Sequence, residues 1–337
     1  RFCQRGYLKD YLAYTTWQES PEDFHMWVGL STLAMALGRR CYINRGYYQL
    51  YPNLYVLLIA ESALLRKSSA IGIGTRVLVK ALPDGLNVVS QSITPASLAH
   101  YLAGVHTKTG ESSACLISDE MSVTLGKCSK DPELLQLLTS LYDCKDKHEH
   151  STIMRGVEVF NYACMNILMG STPDWIKSSL PEDAIGGGFF SRLLPIFRTT
   201  GGKRIANPED YLRRPEVTAA HNNCVHDICL IGQMSGEFKW EDTAKRMFQD
   251  WYESPAYNEP SDAPPSLRGY YGRKGDTLIK LAMLCSASFD DKLLLTDRDF
   301  MFALRILNDN EKYMKEASKV LGQTDVGKIT DKVLYQI

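Results

Sequence analysis

Lys67-Ser68 and Asp119-Glu120 are the residues of this chain whose types and placement could do chemistry. The first pair follows the apolar run LYVLLIA and opens a helical stretch; the second ends the apolar run ACLIS. In phosphoryl transfer a lysine neutralises the β- and γ-phosphates, a serine hydroxyl and an aspartate hold magnesium, and a glutamate activates water. Lys67 would then meet phosphate, Ser68 and Asp119 would hold Mg2+, and Glu120 would orient the attacking water. The chemistry expected of this set is binding and hydrolysis of a nucleoside triphosphate, ATP by default.

A standard phosphate loop reads GxxxxGK[ST], its glycines permitting the positive φ angles that aim backbone N–H groups at phosphate oxygens. Here the eight positions are Glu61, Ser62, Ala63, Leu64, Leu65, Arg66, Lys67 and Ser68, so neither glycine position holds glycine. Gly72 and Gly74 come later, inside the following helix. Arg66 would add a second cation, and Ser62 and Ser69 flank the loop, whereas Glu61 must turn away. The competing reading is a strand–helix corner carrying surface cations.

Three further features fit the same chemistry. Adjacent acids at the carboxyl end of a buried parallel strand suit one metal-bound and one water-orienting role, although Asp119 could instead cap the next helix. The strand MNILMG runs into Ser171, Thr172 and Pro173, placing hydroxyls beside the metal site, or simply starting a helix. GGGFFS leads to Arg192 and the apolar strand LLPIF. An arginine there reads either as a finger supplied to a neighbouring subunit or as a structural ion pair.

The stretches NLYVLLIAES…RKSSA, LISDE, LYDCKDKHEHST, NILMGSTPDW and GGGFFSRLLPIF resemble the DUF3987-like ATPase domain of phage, plasmid and prophage primase–helicase proteins. The likeness covers roughly residues 20 to 200 and extends weakly into 267–310. More distantly, SR before an apolar strand and TLIKLA (277–282) are similar to AAA+ helicases of the minichromosome-maintenance type. That resemblance implies Lys280 or Arg273 as a second γ-phosphate sensor in a C-terminal lid. It also implies that the insertion between the acidic strand and the Ser-Thr strand is a pore hairpin. Its cations Lys145, Lys147 and Arg155 would grip single-stranded DNA.

A metal site built on Asp143, Cys144, His148 and His150 is the weaker reading of that insertion, and a solvated turn is a third. RGYYGRK (268–274) interleaves aromatics with cations, which suits either nucleic-acid contact or lid docking.

These groups need a scaffold that alternates strand and helix. The hydrophobic patterns predict strands at 54–60, 87–90, 114–119, 164–170 and 193–198. They predict helices at 67–82, 95–104, 132–142 and 173–179, a parallel sheet with crossovers. Thr94-Pro95 reads as an N-cap followed by proline at the first helical position. Residues 1–50 read as a helical N-terminal segment, with FHMWVGLSTLAMAL as a buried helix and His25 a structural histidine within it. Residues 200–233 read as irregular, and 254–266 as a proline-rich connector. Helices at 240–252, 275–288 and 298–321 follow. The expected units are a helical segment 1–50, a P-loop core 51–200, an irregular segment and linker 201–266, and a helical lid 267–337.

The chain has 337 residues, a formal charge of −1, 45% hydrophobic and 23% charged residues. Any nucleic-acid surface must therefore be local. The nine cysteines include no CxxC pair, which favours reduced thiols in a cytoplasmic setting, a bacterial or phage-infected cell. No apolar run is long enough to span a membrane and no signal-like start is present. The start at Arg1 and the helix-like end GKITDKVLYQI read as a fragment of a longer protein.

The expectation is an α/β P-loop NTPase of AAA+/RecA-like architecture, acting as an ATP-dependent DNA helicase or translocase in a homo-oligomeric ring, hexameric by analogy. The rivals are a nucleotide-binding scaffold or switch with little hydrolysis and an ATPase that remodels protein.

Overall fold

The computed structural model describes residues 6–89, 91–126, 133–152, 156–179, 188–255, 257 and 267–322. Its centre is a five-stranded, wholly parallel sheet built from β3 (Tyr55–Ile59), β4 (Val88–Val89), β5 (Ser112–Ser118), β8 (Ala163–Ser171) and β9 (Leu193–Phe197). Across the sheet the order is β4-β5-β8-β3-β9. The strand expected to carry the phosphate loop is thus separated from the acidic strand by β8 alone. The chain is α/β with helices on both sheet faces, as the hydrophobic pattern predicted.

Successive side chains of a strand point to opposite faces, and the two faces have different partners. Val56 and Leu58 of β3 pack on one side with helices α2 (Glu22–Leu37) and α3 (Lys67–Ala81). Tyr55, Leu57 and Ile59 pack on the other with α4 (Pro95–Thr109), α5 (Met121–Leu125), α6 (Glu133–Tyr142) and α7 (Pro173–Ser179). Right-handed crossovers require this division. From β3 the chain runs outward to the edge strand β4 along one face, then returns step by step over the other. Connections therefore leave β3 and β8 in opposite directions, which makes their carboxyl ends the switch point at which open α/β sheets take ligands.

α2 is buried around its circumference, from Phe24 to Leu37. It lies between the sheet, α1 (Tyr7–Thr15), α3 and α11 (Arg268–Phe289), so no face is left for polar residues. Gly74 of α3 allows the close approach: a Cβ there would stand 2.3 Å from Cγ1 of Val28. Thr94 caps α4 as predicted, in a reciprocal box with Ser97, and Pro95 occupies the first helical turn.

Two expectations are corrected. Residues 1–50 are not only helical: β1 (Cys41–Asn44) and β2 (Gln49–Leu50) join β10 (Gly236–Trp240) and β11 (Leu294–Leu295) in a second sheet, ordered β11-β10-β1-β2. Residues 200–233 contain α8 (Pro208–Leu212) and the long α9 (Pro215–Ile231). Val217, Ala220, Cys224, Ile228 and Ile231 form the buried stripe of α9; its Asn-His-rich outer face hid that period. The insertion after α6 is an antiparallel hairpin, β6 (Lys147–Thr152) with β7 (Gly156–Asn161), the shape that the resemblance implied, and not the rival solvated turn.

The C-terminal part continues with α10 (Asp242–Glu253), then α11, and ends with α12 (Asp297–Gly322). α12 covers the edge strand β9, where Asn310 donates to the carbonyl of Pro195 at 3.2 Å. Most of the 254–266 connector and the helix-like end lie outside the described residues.

Candidate functional site

The loop between β3 and α3 holds the groups that lean most strongly on local geometry. Arg66, in the place of the second glycine of a phosphate loop, has φ 49° and ψ 41°, the left-handed conformation that position demands. Ala63 is also left-handed, at φ 58°. The backbone is held there from outside: Ser20 Oγ donates to the Arg66 carbonyl at 3.0 Å, and Arg66 Nε pairs with Glu19 at 3.0 Å. Glu19 also accepts the backbone N–H of Lys203 on its carbonyl, at 2.8 Å. The N-terminal segment and residues 201–203 thus buttress a turn that glycine would otherwise supply. That support was not legible from the loop's own sequence.

α3 starts at Lys67 with no side-chain cap and no acid in its first turn. Its free N–H groups and positive dipole end are therefore available to an anion. Lys67 Nζ folds back onto the carbonyls of Ala60 at 2.7 Å and Glu61 at 3.1 Å. Burial lowers the Lys67 ammonium from its ordinary pKa, opposed by the charges of Glu120 and Glu61. Ser62, Ser68 and Ser69 are exposed, and Glu61 faces solvent.

Across the carboxyl edge of the sheet the neighbours follow the strand order. Ile59 pairs with Ser171 on one side and Phe197 on the other, and Ser118 pairs with Met169. Continuing that register sets Asp119 beside Gly170 and Glu120 beside Ser171, and these two pair with Leu58 and Ile59 of β3. The contact is close, since a Cβ on Gly170 would come within 2.5 Å of the Asp119 carbonyl oxygen. Burial and the Glu120 charge push the Asp119 carboxyl up from its ordinary range. A divalent cation would offset both, and the hard oxygens of Asp119 and Ser68 are of the type Mg2+ prefers. Among the described residues no cluster of three or more His, Cys, Asp or Glu forms a metal site, and His148 stacks on Phe160 in the hairpin instead.

Glu120 precedes α5 without capping it, and its carboxylate accepts from Ser122 Oγ at 2.9 Å. Ser171 is buried beside Ala60, whose N–H donates to the Ser171 carbonyl. Thr172 takes the structural alternative: its hydroxyl accepts from Trp175 N at 3.3 Å at the start of α7.

The remaining basic candidates lie elsewhere. Arg192 immediately precedes β9 and Lys280 binds the residue before Leu54, so both stand at the amino end of the sheet. Arg192 makes a two-pronged pair with Asp143, at 2.9 and 2.7 Å, and donates to the Gly188 carbonyl. Lys280 is buried in α11, donating to the Asn53 carbonyl at 3.1 Å and side-chain oxygen at 2.8 Å, with its ammonium over the Tyr142 ring. Arg273 Nε reaches Ser191 at 3.3 Å on the same side. A γ-phosphate sensor acting within one chain is therefore not what Lys280 or Arg273 forms; the direction in which a lid helix packs is invisible in its own pattern.

In the insertion, Lys147 pairs with Glu149 and Lys145 is exposed. Arg155 lies outside the described residues. The hairpin rests on α4 through a contact of His100 with Glu158 at 2.9 Å.

No protein-family model and no curated protein matches this chain. Among the described residues no helix is long and apolar enough to cross a membrane.

Proposed function

We propose that the chain is a P-loop NTPase of the AAA+/RecA-like class that binds ATP with Mg2+ and hydrolyses it at the carboxyl end of β3, as a motor on DNA. One observation carries the reading: the left-handed Arg66 delivers an uncapped, acid-free helix N-terminus and Lys67 to the edge that also bears Asp119 and Glu120. In this reading Lys67 and the first N–H groups of α3 cradle the phosphates, and Ser68 and Asp119 hold Mg2+. Glu120 positions water, and Ser171 lies between metal and γ-phosphate. Arg66 is tied to Glu19, so its role is to shape the loop.

The amino-end position of Arg192 supports a ring. It is far from its own phosphate loop, so any phosphate it met would be one held by a neighbouring copy. The hairpin would supply the single-stranded DNA contact through Lys145 and Lys147. A helicase in the replication module of a mobile element is the setting that the family resemblance implies.

A second reading has its own observation. Arg192 is already paired with Asp143 and Lys280 is fully engaged, as expected of a nucleotide-binding scaffold that turns over slowly. ATP hydrolysis by the wild type, Lys67→Ala and Glu120→Gln, with and without single-stranded DNA, separates the two. A motor shows DNA-stimulated turnover that both variants lose, while Glu120→Gln still binds ATP. Turnover absent from the folded wild type, or indifferent to both substitutions, removes the motor.

A further inference from the structure

The root of the β6–β7 hairpin holds two cysteines side by side. The ladder pairs Lys147 with Asn161, and the Tyr162 N–H donates to the Asp146 carbonyl at 2.8 Å. Past that point the ladder ends, since Tyr162 and Cys144 are left-handed at φ 54° and 49°, and the thiols of Cys144 and Cys164 lie within hydrogen-bonding reach of each other. Both side chains are buried and pack with Tyr51 in a small cluster of their own. Arg39 clamps the two backbones, donating from one nitrogen to the carbonyls of Cys144 at 2.7 Å and Ala163 at 2.8 Å. Forming the bond would bring sulfurs already in contact to about 2.05 Å, the S–S length.

We propose that Cys144 and Cys164 form a reversible disulfide that closes the base of the hairpin. Nothing about the phosphate site is needed for this inference. Of the other buried cysteines in strands, Cys41 faces Gly236 and Cys115 faces Asn166 across their ladders.

The surroundings favour Cys144 as the attacking sulfur. A hydrogen bond from Cys164 lowers its thiol pKa, burial opposes this, and the charges of Lys280 and Arg39 lower it further. The Cys164 thiol is pushed up by the same contact and by burial. Cys144 also lines a cavity of about 270 Å³ together with Lys280, Arg273 and Asp143, through which a small oxidant can arrive. With a peroxide as oxidant, the Cys144 thiolate attacks one oxygen, breaking the O–O bond and leaving a sulfenic acid and one water. The Cys164 sulfur then displaces the hydroxyl as the second water and gives up its proton to it, forming the S–S bond. Two thiols and one peroxide yield one disulfide and two waters.

The test treats the wild-type chain with hydrogen peroxide in stoichiometric steps, blocks free thiols, and maps the peptides by mass spectrometry without reduction. The expected result is a cross-link between the peptides bearing Cys144 and Cys164, formed before any other and lost on adding dithiothreitol. Amide exchange across 147–152 and 156–161 should slow in the oxidised protein, because the root can no longer open. Cys164→Ala should abolish the cross-link and leave Cys144 as a sulfenic acid trapped by dimedone. The inference is overturned if both cysteines stay reduced while the fold is intact, or if they oxidise to other partners.

Discussion

Lys67 and Lys280 stand at opposite ends of one strand: Lys67 Nζ rests on the carbonyl of Ala60, Lys280 Nζ on that of Asn53. Seven residues of extended chain separate the two carbonyls, about 20 Å at the rise of a β-strand. One lysine therefore belongs to the ligand edge of the sheet and the other to its floor. The floor also holds Arg192, Arg273, Asp143 and Cys144, so the cations that resemblance associates with phosphate divide into two sets.

The Lys280 arrangement is a buried charge satisfied by one asparagine. Asn53→Leu removes one acceptor and leaves the ammonium underpaired, with an expected loss of about 2–3 kcal/mol in urea unfolding. Lys280→Met in the same background should recover part of that loss, because the orphaned charge is gone, while the bonds from Asn53 to the carbonyls of Tyr142 and Met165 stay lost. Were Lys280 held chiefly for nucleotide contact, the double variant would be no more stable than the single.

Arg66 gives the sharpest test of the loop. Its left-handed backbone is strained for any residue with a Cβ, and most for a β-branched one. Arg66→Gly should keep ATP binding and leave stability within about 1 kcal/mol of wild type. Arg66→Ile should cost about 1–2 kcal/mol and weaken nucleotide binding, measured by thermal shift with and without ATP and Mg2+. Equal behaviour of the two variants would mean that the loop conformation does not matter.

Much of this was legible in the sequence, and the boundary is physical. The five central strands and their helices were visible because buried parallel strands are continuous apolar runs, as in YVLLI and LLPIF. The second sheet was not, since β2 and β11 have two residues each, and β1 and β11 pair with β10 far away in the chain. Of the candidate site, the shared sheet edge of Lys67, Asp119 and Ser171 was legible from their place after apolar strands. Glu19 and Ser20, which hold Arg66, were missed: no local pattern connects residues 19–20 to 66. Arg192 was found, but its Asp143 partner is a long-range contact.

The two glycines of α3 look equivalent in the sequence and differ in the fold. A Cβ on Gly72 meets only the end of Arg76 at 3.4 Å, whereas one on Gly74 would strike Val28. Gly72→Ala should stabilise by about 0.5–1 kcal/mol through helix propensity. Gly74→Ala should destabilise by about 1–3 kcal/mol, because it forces α3 away from α2. Thermal denaturation of the two variants reads the opposite signs directly.

The ring reading predicts complementation. Arg192→Ala and Lys67→Ala should each be inactive alone, one lacking the donated arginine and the other its own phosphate lysine. Mixed before assembly, they should regain part of the wild-type ATPase rate, since some interfaces pair an intact Lys67 with an intact Arg192. Recovery that stays at zero across mixing ratios, with mixed oligomers verified by mass, would confine Arg192 to its pair with Asp143.

His25 predicts an acid sensitivity that owes nothing to the phosphate site. It is buried in α2, neither ring nitrogen has a hydrogen-bond partner among the described residues, and its ring lies 6.3 Å from that of Tyr11. Burial, reinforced by the positive Lys203, lowers its pKa from 6.5 to about 3. The folded state therefore holds the neutral ring while the unfolded chain takes up a proton near pH 6.5. The stability this gives is present above that pH and is lost as pH falls toward 3. The slope approaches about 1.4 kcal/mol per pH unit, so lowering the pH from 7 to 5 should cost about 2 kcal/mol. His25→Phe removes the titrating group, and its urea midpoint should fall less steeply over the same interval. Parallel pH profiles for the two proteins would assign the acid sensitivity to other groups.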